Sequence, residues 1–247
     1  MPISKSKIKQ IASLQQKKYR LKEGLFIVEG TKVVDEFLNS NFELECVFCV
    51  QDVSEKYKNY HPTIVTEVEL KKISSLKSPN KILTLFKIHK NKNISDTDLK
   101  LVLDDVNDPG NLGTIIRLCD WFGIEELICS KNTVDCYNTK VIQSTMGSLT
   151  RVRVYYVDLK LYLSKVKVPI YIADMDGENI YRADLPKNGI IVMGNEANGV
   201  SSEVKEFSSN TLSIPRFGTL RATESLNVAT ATSIILSEFK RSIGRLD

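Results

Sequence analysis

Histidine is almost missing from this 247-residue chain, which has only His61 and His89, and tryptophan occurs once. A Ser-His-Asp triad would have to use one of those two imidazoles, both outside the half whose loops look catalytic. The five cysteines are an odd number in a chain long enough to build its own core, which argues against a disulfide framework. Cys46 and Cys49 have CxxC spacing, but no second pair accompanies them, and strand alternation points their thiols to opposite faces. No metal site is therefore expected. Long apolar runs are lacking too: none approaches the ~20 residues that cross a bilayer. The N-terminal MPISKSKIKQ also lacks the apolar stretch of a secretory signal. A cytoplasmic location with no membrane partner is the expectation. Wholesale disorder is excluded by 42% hydrophobic and 26% charged residues.

Acid is missing from the start of the chain. Seven basic residues precede Glu23, the first acidic one. Residues 1–100 carry 17 Lys and one Arg against 12 acidic residues, while residues 101–247 carry 16 basic against 18 acidic. The overall charge of +4 thus hides a basic first part and a slightly acidic second part. Such a stretch attracts a polyanion, nucleic acid first. Lys17, Lys18 and Arg20 are its candidate nucleic-acid phosphate contacts. The blander reading is a solubilising, Lys-rich helix face.

Ile8, Ile11, Leu14 and Leu21 recur at near-helical spacing and predict one amphipathic helix. Strands are expected over residues 25–28, 44–50, 63–66 and 82–88. Helices are expected after Thr31, read as an N-cap, and over 68–76. This makes a small α/β domain, residues 1–95, ending in the polar stretch 89–100. Residues 96–247 form a second domain with strands over 101–105, 126–129, 152–157, 170–174, 190–193 and 212–214. Helices near 112–121, 138–146, 159–166, 202–206 and 225–241 fill the gaps. Apolar strands alternating with helices predict a parallel sheet covered on both faces, with ligands beyond the carboxyl ends of its strands.

Three strand-end loops place glycine beside small polar groups: residues 107–117 (NDPGNLGTIIR), 192–201 (VMGNEANGVS) and 214–227 (IPRFGTLRATESLN). Singly, each reads as a strand-to-helix turn with glycine supplying unusual dihedrals and Ser or Thr capping the helix. The second imitates a P-loop, but Val200 follows Gly199 where the phosphate-binding Lys should be. The first lacks the G-x-G-x-x-G turn of a dinucleotide site. All three on one side of one sheet look like a binding site.

The segments DPGNLGTIIRLCDWFG, MGNEANGVS and IP–SLNVATATSIILSEF, in that order, resemble the three motifs of the SpoU/TrmH branch of the SPOUT superfamily of RNA methyltransferases. The N-terminal KKYRLKEGLFIVEGTKVVDEFL resembles the small substrate-binding domain that many members carry. The basic approach from Arg216 to Arg221 is longer than in many members. The resemblance implies a deep trefoil knot in the C-terminal domain, against the general rule that chains avoid knots. It implies a homodimer formed by the knotted domains and S-adenosylmethionine held near Met193, Gly194, Ile214 and Leu226. It further implies 2′-O-ribose methylation of RNA, ribosomal RNA favoured over transfer RNA. Asn111, Ser225 and Asn227 would orient the substrate, and Glu196 would fix the loop. Arg117 is the family's base, but a guanidinium with a pKa above ~12 stays protonated. An RNA phosphate and the developing alkoxide are better partners for it. A SPOUT base methyltransferase, a transfer-RNA 2′-O-methyltransferase and a catalytically silent RNA-binding protein are the alternative readings.

Overall fold

The computed structural model describes residues 3–89, 93–95, 98–208, 210–218 and 225–243. Arg221, the end of the basic approach noted above, lies outside them. The chain divides into two compact units, Met1–Lys90 with Asp135–Thr150, and Asn91–Val134 with Arg151–Asp247.

The first unit is built on a sheet of β1 (Leu25–Glu29), β2 (Leu44–Cys49), β3 (Thr63–Ile64) and β4 (Ile82–Lys87), in the order β1-β4-β2-β3. Strand β4 runs antiparallel to both β1 and β2. Helices α1 (Lys5–Ser13), α2 (Lys17–Glu23), α3 (Thr31–Leu38) and α4 (Glu67–Ile73) accompany it. Ile11, Leu14, Ile27, Leu70, Ile73 and Leu85 meet in one core cluster. Helix α4 starts in a capping box: Thr66 Oγ1 accepts from Glu69 N at 3.2 Å, and the Glu69 carboxylate accepts from Thr66 N at 2.9 Å. The 3-10 stretch Gln51–Tyr60 had no periodic signal in the sequence; buried Tyr57 anchors it by donating to Asp35 Oδ1 at 3.0 Å. Gly30, with φ 88°, holds the cap position of α3, so Thr31 is that helix's first residue rather than its N-cap.

The single N-terminal helix is corrected to two. The chain breaks after Ser13, and Gln16 is extended at ψ 132° before α2 begins. The break shifts the helical face, leaving Leu21 67% exposed and Arg20 only 2% exposed. Helix ends leave carbonyls without partners. Here Arg20 Nη1 donates to the carbonyls of Leu14 and Gln15, at 2.8 and 2.9 Å. Its Nη2 and Nε donate to Asp135 Oδ2 at 2.5 and 3.0 Å. A guanidinium committed in this way acts as a structural cation within its own unit. Lys17 and Lys18 on the same helix are exposed.

Asp135–Thr150 belongs to this unit through named contacts. The Tyr137 ring lies 4.6 Å from that of Phe26. Within the helix Thr139–Thr145, α6 in chain order, Gln143 Nε2 donates to the Glu29 carbonyl at 2.8 Å.

The second unit holds a six-stranded, all-parallel sheet in the order β10-β8-β9-β5-β6-β7. Its strands are β5 (Leu99–Leu103), β6 (Glu126–Ser130), β7 (Arg153–Val157), β8 (Ile170–Asn179), β9 (Gly189–Met193) and β10 (Asn210–Ser213). Every residue of β5, β6 and β9 is buried, as both-face coverage requires. Helices α5 (Pro109–Trp121), α7 (Leu159–Leu163), α8 (Ser202–Lys205) and α9 (Val228–Ile243) supply the cover. Strand β8 runs five residues past its expected end at 174, and the β8–β10 register shifts between Thr211 and Leu212. A Cβ on Gly177 would lie 2.6 Å from the Leu212 backbone, so no side chain fits at that crossing.

At the amino end of β6, buried Glu126 accepts from Ser95 N and Oγ at 3.1 and 2.7 Å, with Lys100 Nζ 3.4 Å away. Burial pushes its carboxyl up, but the Ser95 hydrogen bonds and the Lys100 ammonium outweigh burial and hold it below the ordinary carboxylate value. Ser95, inside the polar stretch, is thereby tied to the amino end of β6. No helix among the described residues is long and apolar enough to cross a membrane.

Candidate active site

Three loops leave the carboxyl ends of β5, β9 and β10. In the first, Asp108 caps α5 by accepting from Asn111 N at 2.8 Å, with Pro109 at the helix start, where its missing N–H costs nothing. Asn111 is thus fixed in the opening turn of α5.

The second loop folds back on itself. Asn195 and Gly199 exchange two backbone hydrogen bonds, each of 2.9 Å. A Cβ on Gly194 would lie 2.1 Å from the Gly199 carbonyl carbon, so the turn closes only on glycine. The Asn195 side chain accepts from Ala197 N and Asn198 N, at 2.8 and 3.2 Å, and donates to the Asp105 carbonyl at 2.8 Å. Buried Asp104 accepts from Ser201 N at 2.8 Å. The loop is therefore pinned to the end of β5 and presents Glu196 at its tip.

The third loop ends at Asn227, whose Oδ1 accepts from Ala229 N and Thr230 N at 3.0 and 3.2 Å and so caps α9. That fixes the amide's orientation, leaving its nitrogen to donate to Asn111 Oδ1 at 2.8 Å. Asn111 Nδ2 in turn donates to Glu196 Oε1 at 2.6 Å. One polarised chain, from the amino end of α9 through Asn227 and Asn111 to a carboxylate, joins all three loops.

Beside this chain lies a cavity of about 950 Å³. Met193, Gly194, Ile214, Leu226, Ser225 and Glu196 all line it. Arg117 does not: it is exposed on α5 and makes no hydrogen bond or ion pair among the described residues. Asp174 and Met175 of β8, Lys205 of α8 and Phe217 also line the cavity, and the motif reading missed them. Asp174 carried a signal, because it is the first acidic residue after an apolar strand run, at the end where parallel sheets bind ligands. Lys205 Nζ lies 2.5 Å from Asp174 Oδ2, and that hydrogen bond holds the Asp174 carboxyl below its usual range. Neither histidine is among the residues that line this cavity. His89 stacks on Phe42, its ring centroid 4.4 Å away. Among the described residues, no three His, Cys, Asp or Glu side chains come together as a metal site.

The model of the SpoU rRNA Methylase family matches residues 98–237, and that of the MRM3-like substrate binding domain matches residues 5–84. The chain belongs to the SpoU rRNA methylase family. It is similar to the 23S rRNA (guanosine(2553)-2′-O)-methyltransferase RlmP of Bacillus subtilis, with 27% identity over 93% of this chain and 94% of that protein. Among solved structures, a TrmH-family protein from Porphyromonas gingivalis superposes with a TM-score of 0.87 at 35% identity, covering 97% of this chain and 98% of that one. An S-adenosylmethionine-bound rRNA methyltransferase from Sinorhizobium meliloti gives 0.86 at 26% identity, covering 99% of both chains.

The SpoU cofactor is S-adenosylmethionine, and the cavity's lining fits it. The volume lies within the range of small-molecule sites. Met193, Leu212, Ile214, Val228 and Ile235 offer an apolar wall for a purine. Gly194 and Gly199 add backbone groups to the lining. The Asp174–Lys205 pair offers both signs of charge to a ligand that carries an ammonium, a carboxylate and a sulfonium.

Proposed function

We propose that this chain methylates a ribose 2′-hydroxyl of ribosomal RNA in the cytoplasm, using S-adenosylmethionine, and that it works as a homodimer. The observation that carries this reading is the hydrogen-bonded chain Asn227–Asn111–Glu196 at the rim of the cofactor-sized cavity. The RlmP and Sinorhizobium relatives, both named as rRNA methyltransferases, favour ribosomal RNA as the substrate. The trefoil threading implied by the motifs belongs to the same proposal.

The cofactor, when bound, supplies a sulfonium methyl group, an activated electrophile. Met193, Gly194, Ile214 and Leu226 would hold it so that its methyl could pass to the 2′-oxygen, with the carbon–sulfur electron pair left on sulfur as a neutral thioether and the hydroxyl proton released to solvent. What the protein must add is alignment and charge stabilisation. Asn111 and Asn227 orient the ribose, their amides pre-set by the α9 cap. Ser225 donates beside them, and Glu196 holds the Asn111 amide in its working orientation. Arg117, exposed and unpaired among the described residues, meets an RNA phosphate and stabilises the developing alkoxide.

Mass-spectrometric mapping of ribose methylation in total RNA from wild-type and deletion strains tests the reading. One 2′-O-methyl lost from ribosomal RNA is expected. Loss of a base methyl, or of a transfer-RNA methyl, would replace it with one of the alternatives. Light scattering at micromolar concentration is expected to give twice the 27.9 kDa chain mass. A monomer would overturn the dimer. The apolar residues of α9, including Val228, Ile235, Leu236 and Phe239, are buried within their own unit. The exposed Trp121 of α5 and Leu226 are the more accessible apolar surface for a partner.

A further inference from the structure

The cavity has an aromatic rim that the Asn227–Asn111–Glu196 chain does not use. Phe217 is 83% exposed, and Tyr181 beside it is 43% exposed. Their ring centroids lie 6.4 Å apart with planes tilted by 34°. They come from different places: Tyr181 follows β8, its N–H bound to Asn179 Oδ1, and Phe217 follows β10. Between those strand ends, Arg216 Nη2 donates to Met175 Sδ at 2.8 Å. Met175, Arg216 and Phe217 all line the cavity, so this surface continues the cofactor site outward.

On the reading that the enzyme methylates RNA, we propose that Phe217, flanked by Tyr181, is the stacking platform for an unpaired nucleobase of the substrate, with Arg216 meeting an adjoining phosphate. A ribose presented to the cavity brings its base and phosphates with it, and each needs a surface. Unpaired bases in RNA are held chiefly by stacking on aromatic rings and guanidinium planes. Phosphates pair best with guanidinium groups. An aromatic face and an Arg in adjacent positions, next to the methyl-transfer site, match a nucleotide in both chemistry and size. A protein interface would need far more apolar area than these few side chains offer. Because every base has a π-face, the platform holds a nucleotide without selecting its identity.

The test uses the intact enzyme, radiolabelled S-adenosylmethionine and unmodified 23S rRNA transcribed in vitro. Phe217→Ala is expected to lower kcat/KM for RNA by about 5- to 150-fold, the range for losing one base–aromatic stack. Cofactor affinity measured by calorimetry should stay within about twofold. Phe217→Tyr should restore activity to within about threefold of wild type, since it keeps the aromatic face, and Phe217→Leu should not. Cofactor affinity falling in Phe217→Ala while the RNA KM is unchanged would overturn the proposal in favour of a cover over the cofactor. Rescue by Leu equal to rescue by Tyr would overturn it in favour of apolar filling. A wild-type enzyme that binds cofactor but methylates no RNA overturns the functional reading as well. A fully active wild type with an unaltered Phe217→Ala overturns this inference alone.

Discussion

Asn227 serves two neighbours with one amide, and the two services can be separated. Its oxygen caps α9 and its nitrogen orients Asn111. Asn227→Ala loses both, with about 0.5–2 kcal/mol of stability from the cap alone, and should depress cofactor binding and methyl transfer together. Asn227→Asp keeps an acceptor for the α9 N–H groups but puts a second oxygen against Asn111 Oδ1. Turning the Asn111 amide over would relieve that contact only by pressing its oxygen on Glu196. Asn227→Asp is therefore expected to melt close to wild type and to transfer methyl as poorly as Asn227→Ala. Wild-type turnover in Asn227→Asp would show that the polarity of the chain has no role. Arg117 stands apart from the cavity lining, so its effect should be of the opposite kind. Arg117→Ala should abolish methyl transfer and leave cofactor affinity within a few-fold. Arg117→Lys should rescue poorly, because an ammonium cannot reproduce the planar, two-pronged contact with phosphate. Calorimetry beside a methyl-transfer assay separates the outcomes, and near-normal turnover of Arg117→Ala would remove Arg117 from the site.

At the scale of elements, the turn between α1 and α2 concentrates much of the first unit's polar chemistry in Arg20. Removing one partner of a buried ion pair strands the other, at a typical cost of about 3–5 kcal/mol. Arg20→Ala also strips the Leu14 and Gln15 carbonyls of their donor. A drop in denaturant midpoint equivalent to about 3 kcal/mol is expected, and Arg20→Lys should recover only part of it. Unchanged stability with weakened RNA binding would return Arg20 to the surface role its sequence context suggested. This element also marks where the sequence stopped being legible. Spacing placed Leu21 on the buried stripe and Arg20 outside, because a period of 3.6 residues assumes an unbroken helix and nothing in the Gln15-Gln16 pair announces a break. The strands of the second unit were legible because both-face burial writes continuous apolar runs into β5, β6 and β9. The loops after β5, β9 and β10 were legible because glycine, Asn and Asp at strand ends have few other uses. What could not be read was pairing at a distance: Asp135 on Arg20, Gln143 on the β1 backbone, and the Asp174–Lys205 pair in the cavity wall. Each joins positions with no local pattern in common.

At the scale of the whole molecule, the basic charge gathered in the first part of the chain is the feature that a polyanionic substrate would meet first. With Arg20 committed to Asp135, the exposed cations of α2 are Lys17, Lys18 and Lys22, and the first two are the ones taken as RNA contacts. Each phosphate contact to single-stranded RNA releases counterions and adds roughly 0.7 to the slope of log K against log salt. Replacing both with Gln should flatten that slope by about 1.4 if both make contacts. Cofactor affinity and the identity of the methylated nucleotide should be unchanged, because phosphate contacts position a nucleic acid without reading it. Stability should hold as well, since both residues are exposed, in contrast to the loss expected for Arg20→Ala. A helix that only keeps the protein soluble predicts no change in slope. Salt-titrated binding of the double variant to unmodified 23S rRNA distinguishes the two, and an unaltered slope would leave Lys17 and Lys18 with no part in holding RNA.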